Sequence, residues 1–172
     1  MHQALRERFR QALSGLRIRS DGLSLSDWTL IGVYAAFAFG VGYFNGLFEP
    51  GLPTLLQVLV LPPLLVLYPS VIEEVIFRGI LLRRELSEAR PVKRFCALTL
   101  SALLFVAWHP LNHYLIGLSD TSLFIKPEFL VIVTALGYLT GHLYLRTRSL
   151  WPAIAVHWLT TLIWNLFLGR PR

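Results

Sequence analysis

The stretch Val71-Ile72-Glu73-Glu74-Val75-Ile76-Phe77-Arg78-Gly79-Ile80-Leu81-Leu82 sets two carboxylates and a guanidinium in a run that is otherwise apolar. Its apolar character continues back to Leu52, and similar stretches occupy Trp28 to Phe48, Phe95 to Trp108, Phe129 to Leu145 and Trp151 to Leu168. Most approach the roughly 20 residues that a helix needs to cross a bilayer. The chain of 172 residues is 55% hydrophobic and 15% charged, too little polar surface for a soluble domain of this size. The sequence therefore predicts an all-α polytopic transmembrane bundle of five or six membrane helices, preceded by an N-terminal interfacial helix. Ionisable groups at membrane depth each cost roughly 2.5 to 3.5 kcal/mol even on a lenient scale, so three kept together imply a use.

The net charge of +6 does not point to nucleic acid, because the basic residues gather at the ends of apolar segments and form no single patch. Arg6, Arg8, Arg10, Arg17 and Arg19 precede the first span; Arg83, Arg84, Arg90, Lys93 and Arg94 follow the second; Arg146 and Arg148 separate the last two. Placing all three clusters on the cytoplasmic side gives five crossings, with Lys126, Arg170 and Arg172 outside. The expected location is a bacterial cytoplasmic membrane with the N-terminus in the cytoplasm. Leu52 to Leu82 is too long for one straight crossing, about 46 Å of helix against a hydrocarbon core of roughly 30 Å. Pro62, Pro63 and Pro69 offer places for a break, and a sixth helix is the alternative. Residues 1–26 form a basic amphipathic segment with Leu5, Phe9, Leu13 and Leu16 on one face, suited to the membrane surface; a frayed basic tail is the alternative. Residues 27–170 form one transmembrane domain. The single Cys96 supplies no disulfide framework.

Glu74 and Arg78 stand four apart, the spacing of an intrahelical ion pair with the acid on the N-terminal side. Glu73, about 100° around the axis, is left needing another partner. His109, His142 and His157 are the candidates. Counted from the basic edges, Glu73 and His157 both lie about 14 to 15 Å deep, and His109 about 22 Å. A lone membrane histidine is more often an interhelical hydrogen-bonding residue than a catalyst. An acid, an arginine and histidines together more often mark a proton path or a reaction site. His142 follows Gly141, which with Gly137 makes a small-xxx-small pattern suited to close helix packing. His113 is expected in a polar loop from Pro110 to Glu128. Trp108, Trp151, Trp158 and Trp164 read as interface anchors or packing residues. No HExxH, HxxEH, CxxC or GxSxG pattern occurs.

Three segments in order, Glu73-Glu74-Val-Ile-Phe-Arg78, Phe105-Val-Ala-Trp-His109 and the segment Ser149 to His157, resemble the CAAX prenyl protease and bacteriocin-processing family of intramembrane proteases, also called CPBP or Abi. Its motifs read EExxxR, FxxxH and HxxxN, and the resemblance covers about residues 70–168. It implies an endopeptidase in which Glu73 and His109 activate water for attack on a peptide carbonyl. Glu74 and Arg78 would support the site, and His157 would help hold the oxyanion. Family members are described both as metalloproteases and as metal-independent glutamic proteases. The resemblance thus implies either no cofactor or a divalent metal such as zinc, with Glu73, His109 and His157 as its ligands.

The third motif departs from the family, with Thr161 at the asparagine position and Asn165 a further turn on. Asn165 is about 12 Å along a straight helix from His157, whereas Thr161 is about 6 Å along, so Thr161 is the nearer donor. The expected partners are the lipid bilayer and a membrane-anchored peptide or protein substrate, with no nucleic acid. Two other readings compete: a non-catalytic membrane scaffold or immunity protein that keeps the polar cluster for assembly, and a haem-binding or proton-conducting protein.

Overall fold

The computed structural model describes residues 2–17, 22–116 and 122–169, so Arg19, Arg170 and Arg172 lie outside the described residues. The helices are α1 (His2–Gly15), α2 (Leu25–Phe44), α3 (Leu55–Leu65), α4 (Ile72–Glu74), α5 (Pro91–Ile116), α6 (Pro127–Thr147) and α7 (Trp151–Ile163). Wider π-type winding at Val66–Val71 and Val75–Ile80 joins α3 and α4 into one span, and another π-wound turn extends α7 to Leu168. Five helices among the described residues are long and apolar enough to cross a bilayer. The protein is an all-α integral membrane protein.

Burial identifies the centre of the bundle. In α6, 56% of the apolar window is buried, against 17% to 22% in α2, α5 and α7. The small residues of α6 explain how its neighbour comes so close. A Cβ added at Gly137 would stand 3.3 Å from the Ala102 Cβ, and one at Gly141 2.4 Å from a Leu98 methyl, so the Gly137/Gly141 face is the seam with α5.

The second span is broken, but not where tandem prolines first suggest. Pro62 and Pro63 lie inside α3, where the Pro62 carbonyl accepts both the Val66 N–H and the Trp158 indole N–H, the latter at 2.9 Å. Membrane helices tolerate proline where neighbouring helices support the turn, and this bond ties α3 to α7. The break falls at Tyr68, whose φ of −133° and ψ of 122° are extended. Proline disfavours helical backbone at the residue before it, and Pro69 follows. The chain then begins a new helical stretch within the membrane, and Glu73 and Glu74 lie in the first turn of α4. The positive end of a helix favours carboxylates there.

The three basic clusters share one end of the bundle. Ser24 and Asp27 cap α2 reciprocally, and Asp27 is ion-paired with Arg146 at the end of α6. Arg148 pairs with Glu88, and the Leu150 N–H donates to the Gly15 carbonyl at 2.9 Å. At the other end, the Glu49 and Gly51 N–H groups donate to the carbonyls of Leu168 and Phe167. Leu55–Ile80 therefore makes one net crossing.

Helix α1 is formed rather than frayed. Phe9 and Leu13 are exposed, as an apolar face turned to lipid requires, while Ala12 is buried against the second span. A Cβ at Gly79 would stand 2.8 Å from the Ala12 Cβ and 3.2 Å from its Cα, so only glycine admits α1 this closely. The Leu5 side chain lies outside the described residues. Helix α5 also differs from expectation: it continues through Pro110 to Ile116, so His113 is helical and half-buried rather than in a loop. One proline removes a single N–H from the ladder, and the following turns re-form.

Candidate active site

Four segments meet around Glu73 and Glu74. The ion pair expected from spacing is present, with Arg78 Nε 3.1 Å from Glu74 Oε2 and both side chains 0% exposed. Arg78 is held from a second side by α6, where its Nη2 donates to Thr140 Oγ1 at 2.6 Å and to the Gly137 carbonyl at 3.2 Å. Its guanidinium also lies 4.3 Å from the centroid of the Phe105 ring. A desolvated arginine needs this many partners, because a buried charge is tolerated only when paired and hydrogen-bonded. Fully enclosed, Arg78 fixes Glu74 in place.

His157 from α7 completes the acid pair. Its Nδ1 is 3.0 Å from Glu74 Oε1, and its Nε2 is 3.9 Å from Glu73 Oε2. An ionised carboxylate oxygen only accepts, so Nδ1 is the donor to Glu74 and Nε2 is the nitrogen turned toward Glu73. The other oxygen of Glu73, Oε1, accepts from the Trp108 indole N–H at 3.1 Å. Glu73 Oε2 is buried and has no hydrogen-bond partner. It is the open acceptor of the cluster.

His109 joins through an aromatic wall. Its Nδ1 donates to the Phe105 carbonyl at 2.9 Å, which leaves Nε2 with the lone pair. The Phe105 ring meets His109 edge-on at 5.1 Å and His157 at 5.5 Å, and Phe124 and Phe129 close the far side of His109. No hydrogen bond or ion pair among the described residues links His109 to Glu73; the histidine nearest Glu73 is His157. Thr161 turns its hydroxyl to the carbonyls of His157 and Trp158, at 3.1 and 3.0 Å, and Asn165 donates to the Thr161 carbonyl at 2.8 Å. Both spend these donors on their own helix. His142 lies away from the cluster, half-buried at the basic end.

Two of these partners escaped the sequence reading. Trp108 is not merely an anchor or packing residue, since it supplies the donor that Glu73 lacks, and Thr140 was not singled out. The only signal was that unmet need: an indole N–H donates and never accepts, but nothing in α5 alone fixes where it points. If Trp108 positions Glu73, Trp108→Phe should keep the fold and lower turnover about 10- to 100-fold, since a hydrogen bond to a charged group is worth about 1.5 to 3 kcal/mol. Turnover and thermal unfolding of the purified variant would check this.

Fold and site together define a polytopic helical membrane protein in which α4, α5, α6 and α7 enclose a dry cluster of two glutamates, an arginine and two histidines. Residues 53–163 match the family model of the type II CAAX prenyl endopeptidases, Rce1-like, and the chain belongs to this family of intramembrane proteases. The matched range includes Glu73, Glu74, Arg78, His109, His157 and Thr161 and ends before Asn165. No curated protein and no solved structure matches the chain.

Proposed function

We propose that this protein is an intramembrane endopeptidase that hydrolyses a membrane-anchored peptide or protein with water activated by Glu73. The observation that carries the reading is the Glu73 carboxylate itself, with Oε1 held by Trp108 and Oε2 buried, unpartnered and 3.9 Å from His157 Nε2. A general base must keep one oxygen free for the proton it takes. Charge counting supports the same assignment. Two carboxylates and one guanidinium leave the dry cluster at −1, and a second proton on His157, at Nε2, makes it neutral while the Glu73 carboxylate stays ionised.

In this mechanism Glu73 Oε2 takes a proton from water as the water oxygen attacks the scissile carbonyl carbon. The resulting oxyanion faces His157, which as an imidazolium donates Nδ1–H to Glu74 and Nε2–H to the oxyanion, and such a donor is worth more in a dry site than in solvent. His109 holds the second hydrogen of the water through its Nε2. The proton on Glu73 then passes to the departing amine nitrogen as the C–N bond breaks, giving a carboxylic acid and an amine. Thr161 contributes to the oxyanion only if its hydroxyl leaves the helix carbonyls. Among the described residues no three His, Cys, Asp or Glu side chains are grouped to hold a metal ion, so no step is routed through one.

The depth of the site favours substrates that arrive through the bilayer, lipid-anchored or transmembrane. By the positive-inside rule the basic end, and α1 with it, faces the cytoplasm, in keeping with a bacterial cytoplasmic membrane. The test is cleavage of a membrane-tethered peptide by the purified protein, with and without a strong chelator. Cleavage unchanged by chelator is expected. Loss of cleavage on chelation, restored by zinc, would replace the metal-free mechanism.

A further inference from the structure

A second site lies at the basic end, apart from the glutamate cluster. A half-open cavity of about 690 Å³ separates the start of α5 from the end of α6. Its polar wall is Arg94, His142, Arg146 and Arg148, and its apolar wall includes Phe95 and Leu98. Among the described residues no acidic side chain lines it. Asp27 pairs with Arg146 from outside the cavity and Glu88 pairs with Arg148, which holds these two guanidinium groups in place. Arg94 has neither a side-chain hydrogen bond nor an ion pair within the described structure, although its charge stands close enough to His142 to act on it. The cavity therefore presents one uncompensated cation beside two fixed ones.

Its position decides what kind of anion fits. Arg94 is in the first turn of α5 and Arg146 in the last turn of α6, so the cavity sits where the spans leave the hydrocarbon for the headgroup layer. Phe95 is exposed on the flank of α5 and carries the apolar wall outward toward lipid. Inorganic phosphate would fill a small part of this volume and gain nothing from Phe95 or Leu98. A phospholipid uses both walls, with its phosphate against the arginines and its glycerol and first methylenes along α5. Basic pockets between membrane helices bind anionic headgroups by this combination.

We propose that this cavity is a binding site for an anionic phospholipid, with Arg94 as the principal phosphate contact. Phosphatidylglycerol serves as the probe, titrated against the detergent-purified full chain and followed by native mass spectrometry, with phosphatidylcholine as the neutral control. Phosphatidylglycerol should bind more tightly than phosphatidylcholine. Arg94→Gln should weaken it about fivefold, the share of one basic residue near a lipid surface, while leaving phosphatidylcholine binding unchanged. Arg94→Lys should retain most of the preference, and Phe95→Ala should weaken both lipids. Arg94 is exposed and has no side-chain bond, so these variants should fold, which thermal unfolding verifies. Equal retention of the two lipids, or a preference unaffected by Arg94→Gln, would overturn the proposal. So would displacement of phosphatidylglycerol by millimolar inorganic phosphate, which would mark a site for small anions.

Discussion

Glu73→Gln should abolish peptide cleavage, lowering turnover by about 100- to 10,000-fold, the range that a positioned general base supplies. The replacement is nearly isosteric. Its carbonyl can still accept from Trp108, and its NH2 can point toward His157 Nε2, so the packing of α4 against α5 and α7 has no reason to change. What is lost is the basicity of Oε2. The variant should therefore insert and unfold at nearly the temperature of the parent while its cleavage rate falls to background. Cleavage retained at the parental rate would remove Glu73 from the chemistry and favour a non-catalytic scaffold that keeps the cluster only for assembly.

Arg78→Met should do the opposite and strike the fold first. Arg78 is 0% exposed and joins Glu74, Thr140, the Gly137 carbonyl and the Phe105 ring, thereby tying the second span to α5 and α6. Deleting one member of a buried pair leaves the other charge stranded, a loss of about 3 to 5 kcal/mol. Steady-state protein level and unfolding temperature should both drop sharply. Adding Glu74→Gln removes the stranded charge and should recover a substantial part of the loss, so the two substitutions are strongly non-additive. A single Arg78→Met variant as stable as the parent would mean that this network does not hold the bundle together. The two outcomes together would separate roles, with position 73 governing rate and position 78 stability.

Local spacing carried much of this. Five apolar segments flanked by arginines and lysines were enough to place the spans, and the i,i+4 interval gave the Glu74–Arg78 pair even though the helix winds more widely beyond Glu74. The need of Glu73 for a partner from another helix was legible too, because a desolvated carboxylate cannot stand alone. Its partners were not. Trp108 and Glu73 are 35 residues apart, and which face of α5 meets α4 depends on helix rotations that no single segment encodes. Pro69 was one of three prolines that offered a break, and the chain does break just before it, at Tyr68. Pro62 and Pro63 were equally open to it by sequence, yet the helix runs through them, and the Pro62 carbonyl keeps its Val66 N–H while also accepting the Trp158 indole. Thr161 could be picked out by its interval from His157, but the turn of its hydroxyl onto the helix backbone is a rotamer choice that spacing cannot convey.

That the imidazole beside Glu73 belongs to α7 bears on when the protein becomes dangerous. During synthesis, α4 leaves the ribosome and enters the lipid long before α7 exists. With Glu73 as the proposed base, a half-made chain at the translocon would carry it without the His157 imidazole and so would not cut its neighbours. On that reading activity would wait until α7 has docked, so that assembly of the bundle acts as its own safety catch.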